Sequence, residues 1–139
     1  MPQGSCLGPL LFTLYTSKFF KIINSHLPMI HCYADDSQVY ISFSPNDRAE
    51  QLAVVKSMEE CIRDIRSWML NNNLKLNDDK TEFLFIGTPQ QLEKLDNISI
   101  RVGDSDIHLV PIARNLGSWF DSRLSMATHI TKICASSFY

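Results

Sequence analysis

Apolar residues Leu10, Leu11, Leu14, Tyr15, Phe19 and Ile22 recur at helical spacing and predict a helix opening at Pro9, where a first-turn proline forfeits no hydrogen bond. Asn24, Ser25 and Pro28 close it. Ahead of it, residues 1–9 hold two glycines and two prolines and read as a tight loop. Between residues 29 and 43 the period changes to two. Ile30, Cys32 and Ala34 share one face, and after Asp35-Asp36 so do Val39, Ile41 and Phe43, which predicts two strands joined by a tight acidic turn. Ser44-Pro45-Asn46-Asp47 then offers a capping serine, a first-turn proline and an acidic first turn. Behind it Leu52, Val55, Met58, Ile62, Ile65 and Met69 form one helical stripe ending at Asn71-Asn72-Asn73.

The second half of the chain is dominated by shorter patterns. Residues 81–86 are apolar on both faces, Phe83 and Phe85 on one side and Leu84 and Ile86 on the other, and predict a strand covered twice. After Gly87-Thr88-Pro89 and a short helical segment to Leu95, the alternation of Ile98, Ile100 and Val102, a turn at residues 103–106, and the alternation of Ile107 and Leu109 predict a second hairpin. Residues 114–120 read as one more strand, and a last helical pattern starts near Ser125. This order favours an α+β fold, with helices against one antiparallel sheet.

Composition adds bounds rather than direction. A chain of 139 residues that is 45% hydrophobic suits one domain with a modest core, with no repeat or low-complexity stretch. A net charge of −2, with basic residues spread along the chain, gives no global reason to bind a phosphate backbone. Cys6, Cys32, Cys61 and Cys134 lack the short paired spacing of a zinc site and read as reduced, mostly buried thiols, and no secretory signal precedes them. The expected location is therefore cytoplasmic or nuclear. The apolar run at residues 9–20 is interrupted by Thr13, Thr16, Ser17 and Lys18 and is too short to span a bilayer, so no membrane role follows.

Adjacent carboxylates at a hairpin tip have a chemical use, because hard divalent cations take oxygen ligands and phosphoryl transfer needs charge neutralised at the reacting phosphate. Asp-Asp in a turn is also common for local reasons, since aspartate tolerates turn geometry and solvates well. The neighbours decide between these. Pro2-Gln3-Gly4-Ser5-Cys6-Leu7-Gly8-Pro9-Leu10-Leu11-Phe12 followed by Tyr33-Ala34-Asp35-Asp36 resembles two consecutive signature motifs of reverse transcriptases of the non-LTR, jockey-like retrotransposon type. Leu74-Lys75-Leu76-Asn77-Asp78-Asp79-Lys80-Thr81-Glu82 resembles the next motif, and Asn115-Leu116-Gly117-Ser118-Trp119-Phe120-Asp121 resembles the primer-grip segment.

The resemblance implies a polymerase palm over residues 1–125 and the start of a thumb over residues 126–139. It implies an RNA-directed DNA polymerase that adds deoxynucleotides to a DNA primer 3′ end on an RNA template, with two magnesium ions. Asp35 would be the metal ligand of the turn with Asp36 beside it, and Tyr33 would lie near the primer terminus. Gln3 and Gly4 would touch the incoming nucleotide and the template base. Lys80 would sit near the leaving pyrophosphate, with a solvated lysine as the plain alternative. Leu116, Gly117 and Trp119 would hold the primer, with core packing the alternative for Trp119.

Two-metal chemistry takes carboxylates from separate backbone segments to hold ions roughly 3.5 to 4 Å apart. In the family the other essential aspartate lies upstream of the Pro-Gln-Gly motif, and here Met1 stands one residue before that motif. The expectation is an incomplete palm lacking the fingers, the first catalytic strand and most of the thumb. Such a chain would be inactive alone, marginally stable and prone to aggregate through an open sheet edge. The alternative expectation is a non-catalytic nucleic-acid or protein-binding remnant of a mobile element.

Overall fold

A computed structural model describes residues 6–26, 29–33, 36–95 and 98–137, and in it the chain divides into two compact units. The expected sites at Gln3, Gly4 and Asp35 lie outside the described residues.

The first unit, Met1–Ser44 with Ala49–Leu76, is two helices and a hairpin. Helix α1 (Gly8–His26) starts where the proline signal places it. Its second half buries an apolar face: Ile23 is fully buried, and Phe19 and Ile22 pack around it. Its first half does not, since Leu10, Leu11, Leu14 and Tyr15 are all exposed. Helix α2 (Arg48–Asn71) begins later than the Ser44-Pro45 signal suggests, because Pro45 and Asn46 form a turn of their own. Its inward stripe is Met58, Cys61, Ile65 and Met69, spaced three, four and four residues apart. Leu52, expected on that stripe, is 58% exposed.

The two helices run antiparallel. Tyr15 donates its hydroxyl hydrogen to the Asn72 carbonyl, Phe19 meets Trp68 at 6.0 Å between ring centroids, and His26 Nε2 lies 2.8 Å from Asp64 Oδ2. Helix α2 stops through a backbone device that the asparagine run announces. Asn73 takes a left-handed φ of 54°, Leu74 N–H reaches back to Met69 O at 2.8 Å, and Asn73 N–H to Leu70 O at 3.2 Å. These bonds satisfy carbonyls that a helix end leaves orphaned, and asparagine tolerates the left-handed residue they need.

Strands β1 (Met29–Tyr33) and β2 (Asp36–Tyr40) form the expected antiparallel pair, in a register that opposes Ile30 to Val39. Ile30, Val39 and Ile41 pack on the Ile23–Cys61–Ile65 core.

The second unit, Pro45–Arg48 with Asn77–Tyr139, carries two hairpins and a closing helix. Strands β3 (Ser99–Val102) and β4 (Ser105–His108) turn at Gly103, which takes a φ of 63°, and bury Ile100 and Val102. Strands β5 (Ile112–Asn115) and β6 (Ser118–Asp121) replace the single strand expected over residues 114–120, because the chain reverses at Leu116-Gly117. A short helix α3 (Pro89–Leu92) precedes the two hairpins, and helix α4 (Ala127–Ser137) follows them.

Residues 81–86 do not form the expected strand. Phe83 makes one bridge with Leu109, its carbonyl accepting from Val110 N–H at 2.9 Å, and Gly87 N–H donates to Ser122 O at 3.0 Å. Bonds this sparse build no ladder, although Phe83 and Phe85 do share a side, their rings 5.0 Å apart. The fold is thus α+β, with its strands, among the described residues, in three separate two-stranded antiparallel sheets instead of one. Among those residues no helix is long and apolar enough to cross a membrane. All four cysteines are free, but only Cys61 is buried, while Cys6 and Cys134 are exposed, so the expectation of mostly buried thiols fails. Burial, and then the nearby Asp64 carboxylate, push the Cys61 thiol up to about 11, which keeps it protonated and inert.

Candidate functional site

The first hairpin is anchored at one end and presented at the other. Ile30 and Val39 face the core, while Tyr33 and Asp36, register partners at the far end, are exposed, Tyr33 by 70%. Next to them Cys32 Sγ and Ser37 Oγ lie 3.4 Å apart, and His31 stacks on Tyr40 at 5.4 Å. The sequence therefore places a phenol and a carboxylate together at an accessible strand end. Among the described residues no three His, Cys, Asp or Glu side chains gather as a metal-holding group.

Lys80, Leu116, Gly117 and Trp119 belong to the second unit. Lys80 is exposed and ends a short 3-10 turn (Asp78–Lys80), its backbone N–H bonded to Asn77 O at 3.2 Å. Leu116 and Gly117 connect β5 to β6 with φ of 46° and 84°. Two successive positive φ angles match the twist of the flanking strands, as a two-residue hairpin requires, but a leucine there is strained. Leu116 is also 56% exposed, so packing does not explain it. A Cβ on Gly117 would meet nothing within 4 Å, so any cost of substitution there is backbone strain alone. Gly117→Val is expected to lower stability by about 1 to 2 kcal/mol, and Leu116→Asn to raise it by about 1 kcal/mol, in urea denaturation. Equal effects of the two changes would sink this account.

Trp119 is half-buried where β6 meets α4. Its backbone N–H donates to His129 Nδ1 at 3.3 Å, the Arg114 guanidinium lies 5.6 Å from its ring centroid, and Lys132 Nζ lies 5.5 Å from it. Arg114 is its cross-strand partner, while Lys132 and His129 come from α4. Sequence reading singled out Trp119 but not these companions. The one available signal was the recurrence of His129 and Lys132 on a single helical face.

Asp121 sets the corner that brings α4 there. Its carboxylate accepts from Ser125 N–H at 3.0 Å, Ser125 Oγ–H at 2.8 Å and Arg123 N–H at 2.9 Å. These bonds, Ser125's first, hold its pKa below the ordinary 3.8. A lowered folded-state value means the stabilisation is present above 3.8 and lost as pH falls through the folded value. The Ser125 and Ala127 amides are expected to lose hydrogen-exchange protection only in that acid range, and Asp121→Asn, which has no carboxyl to titrate, to remove that pH dependence. Protection unchanged to the lowest folded pH would refute the assignment.

Comparisons with curated proteins and with solved structures returned no match. The family described as reverse transcriptase (RNA-dependent DNA polymerase) matches residues 1–117. That span holds the Pro2-Gln3-Gly4 motif, the β1–β2 hairpin, Lys80 and the Leu116-Gly117 turn, and Trp119 lies just beyond it. A match over most of the chain, taken with motifs in the family's order, places this protein in the reverse transcriptase (RNA-dependent DNA polymerase) family.

Proposed function

We propose that the chain is a palm segment of an RNA-directed DNA polymerase of the non-LTR, jockey-like retrotransposon type, acting on an RNA template and a DNA primer with deoxynucleotides and magnesium. The observation that carries this reading is the first hairpin, where Tyr33 and Asp36 stand as partners at the exposed end of a strand pair whose other end is held in the core. A rigid support with an exposed polar end is what a site needs if it is to receive a nucleic-acid terminus. On this reading Tyr33 lies beside the primer terminus, and Gln3 and Gly4 contact the nucleotide and template base. Lys80 serves the leaving pyrophosphate, and Leu116, Gly117 and Trp119 hold the primer.

Enzymes of the family use a divalent metal, and Asp36 offers the hard oxygen donors such an ion takes. The donors fit in kind but not in number, because one described carboxylate does not hold a hard divalent ion. On this reading metal binding calls for Asp35 and for a carboxylate on a second backbone segment, since two ions flanking the reacting phosphate take ligands from separate segments. On this reading the segment incorporates deoxynucleotides only when joined to that second segment.

A primer-extension assay with magnesium tests this. The chain alone is expected to incorporate no deoxynucleotide, and the same segment joined to the upstream palm half of another reverse transcriptase is expected to do so. Incorporation by the chain alone would overturn the need for a second segment. Failure of the joined enzyme, properly folded, would overturn the polymerase reading.

A further inference from the structure

Basic residues are in deficit over the whole chain, 13 against 15 acidic ones, yet after residue 110 the balance reverses. Arg114, Arg123 and Lys132 face a single carboxylate there, that of Asp121, which is already engaged by Ser125 and by the Arg123 backbone. Two of the three cations converge on one indole, Arg114 from β5 and Lys132 from α4. Both side chains are exposed, and among the described residues neither has a carboxylate at ion-pair distance. Glu82, the nearest acid to Arg114 by hydrogen bonding, accepts from its backbone N–H at 3.1 Å and not from its guanidinium.

Two like charges drawn to one ring without an acid between them leave an unspent positive field at the hairpin–helix corner. A ring face fixes the position of a cation without using its N–H groups: a guanidinium over an indole keeps the edge of its donor fork open, and an ammonium keeps its donors. Both therefore stay able to form charge-assisted hydrogen bonds in a place already set, and phosphate oxygens are the acceptors that arginine and lysine serve best. We propose that Arg114 and Lys132, positioned over Trp119, bind the phosphodiester backbone of a nucleic-acid strand, with Trp119 acting as the platform that holds the cations. This rests on the reverse transcriptase reading and deepens it, adding to the primer-holding Leu116-Gly117 turn two phosphate contacts that the sequence motifs do not include.

The test is binding of the whole chain to a labelled RNA–DNA hybrid with a recessed 3′ end, measured across a salt series. Neutralising a phosphate contact removes about 0.9 from the slope of log affinity against log salt. Arg114→Gln with Lys132→Gln is expected to lower the slope by about 2 and the affinity roughly tenfold at moderate salt. Arg123→Gln makes the same kind of charge change in the same segment, away from the ring, and is expected to leave the slope unchanged. Lys132→Gln alone, on an exposed helix face and with an unchanged urea midpoint, gives half the slope change and separates lost contact from lost fold. An unchanged slope in the double variant, an equal loss in Arg123→Gln, or a wild-type chain that does not bind the hybrid overturns the inference. None of these touches the polymerase reading, which stands or falls on incorporation by the joined enzyme.

Discussion

Asp35→Asn, introduced into an enzyme that incorporates deoxynucleotides through this segment, is expected to cut the incorporation rate by about a hundredfold or more. Asparagine keeps the size and polarity of the side chain and removes only the charge, so the loss reports electrostatic work at the reacting phosphate. Asp36→Asn is expected to cost less. Asp36 is the register partner of Tyr33, on the strand itself, and on the proposed reading Asp35 is the metal ligand with Asp36 beside it. Affinity for primer and template should stay within roughly twofold in both variants, since removing a negative charge does not weaken attraction to phosphates. Single-turnover rates at saturating magnesium and nucleotide make the comparison, because they separate the chemical step from binding. Full activity in Asp35→Asn would remove the acidic turn from the chemistry.

Much of the architecture was readable because its signals are local. The helix at Pro9, the strand pair around the acidic turn, the long helix ending at the asparagine run and the hairpin at Gly103 each depend on a period and a breaker within a few residues. The hairpin at Leu116-Gly117 was not readable, because a leucine with positive φ runs against the steric rule by which turns are recognised. Residues 81–86 misled for a different reason. Their two apolar faces describe burial, but a strand is defined by consecutive backbone bonds, and these residues make isolated ones to Val110 and Ser122.

The candidate site divides in the same way. Tyr33 and Asp36 are three positions apart, and an antiparallel turn makes them neighbours without further information. Arg114, His129 and Lys132 meet at Trp119 only because Asp121 folds the chain back onto the hairpin, a tertiary event with no periodic trace. Periodicity also says which face of a helix is apolar without saying what lies against it. The first half of α1 has the same pattern as the second half and remains exposed.

That contrast along a single helix sets the largest stability effect. Ile23→Ala is expected to destabilise the first unit by about 2 to 5 kcal/mol, the range for removing a buried branched side chain from a site that only partly collapses. Ile23 is fully buried, its buried companions in that core are Cys61 and Ile65, and the half-buried Phe19, Ile30 and Met58 surround them. So small a core has few other contacts to redistribute the loss, and a small domain holds only about 5 to 15 kcal/mol in total. Leu14→Ala, nine positions earlier on the same helix, removes a side chain of the same composition that is 62% exposed, and is expected to cost roughly half a kcal/mol or less. Urea midpoints followed by far-ultraviolet circular dichroism distinguish the two. Similar losses in both variants would mean that the first half of α1 is covered in solution and that the exposed leucines belong to an interface, whereas a loss confined to Ile23→Ala fixes the stabilising contacts of the unit at the Ile23–Cys61–Ile65 cluster.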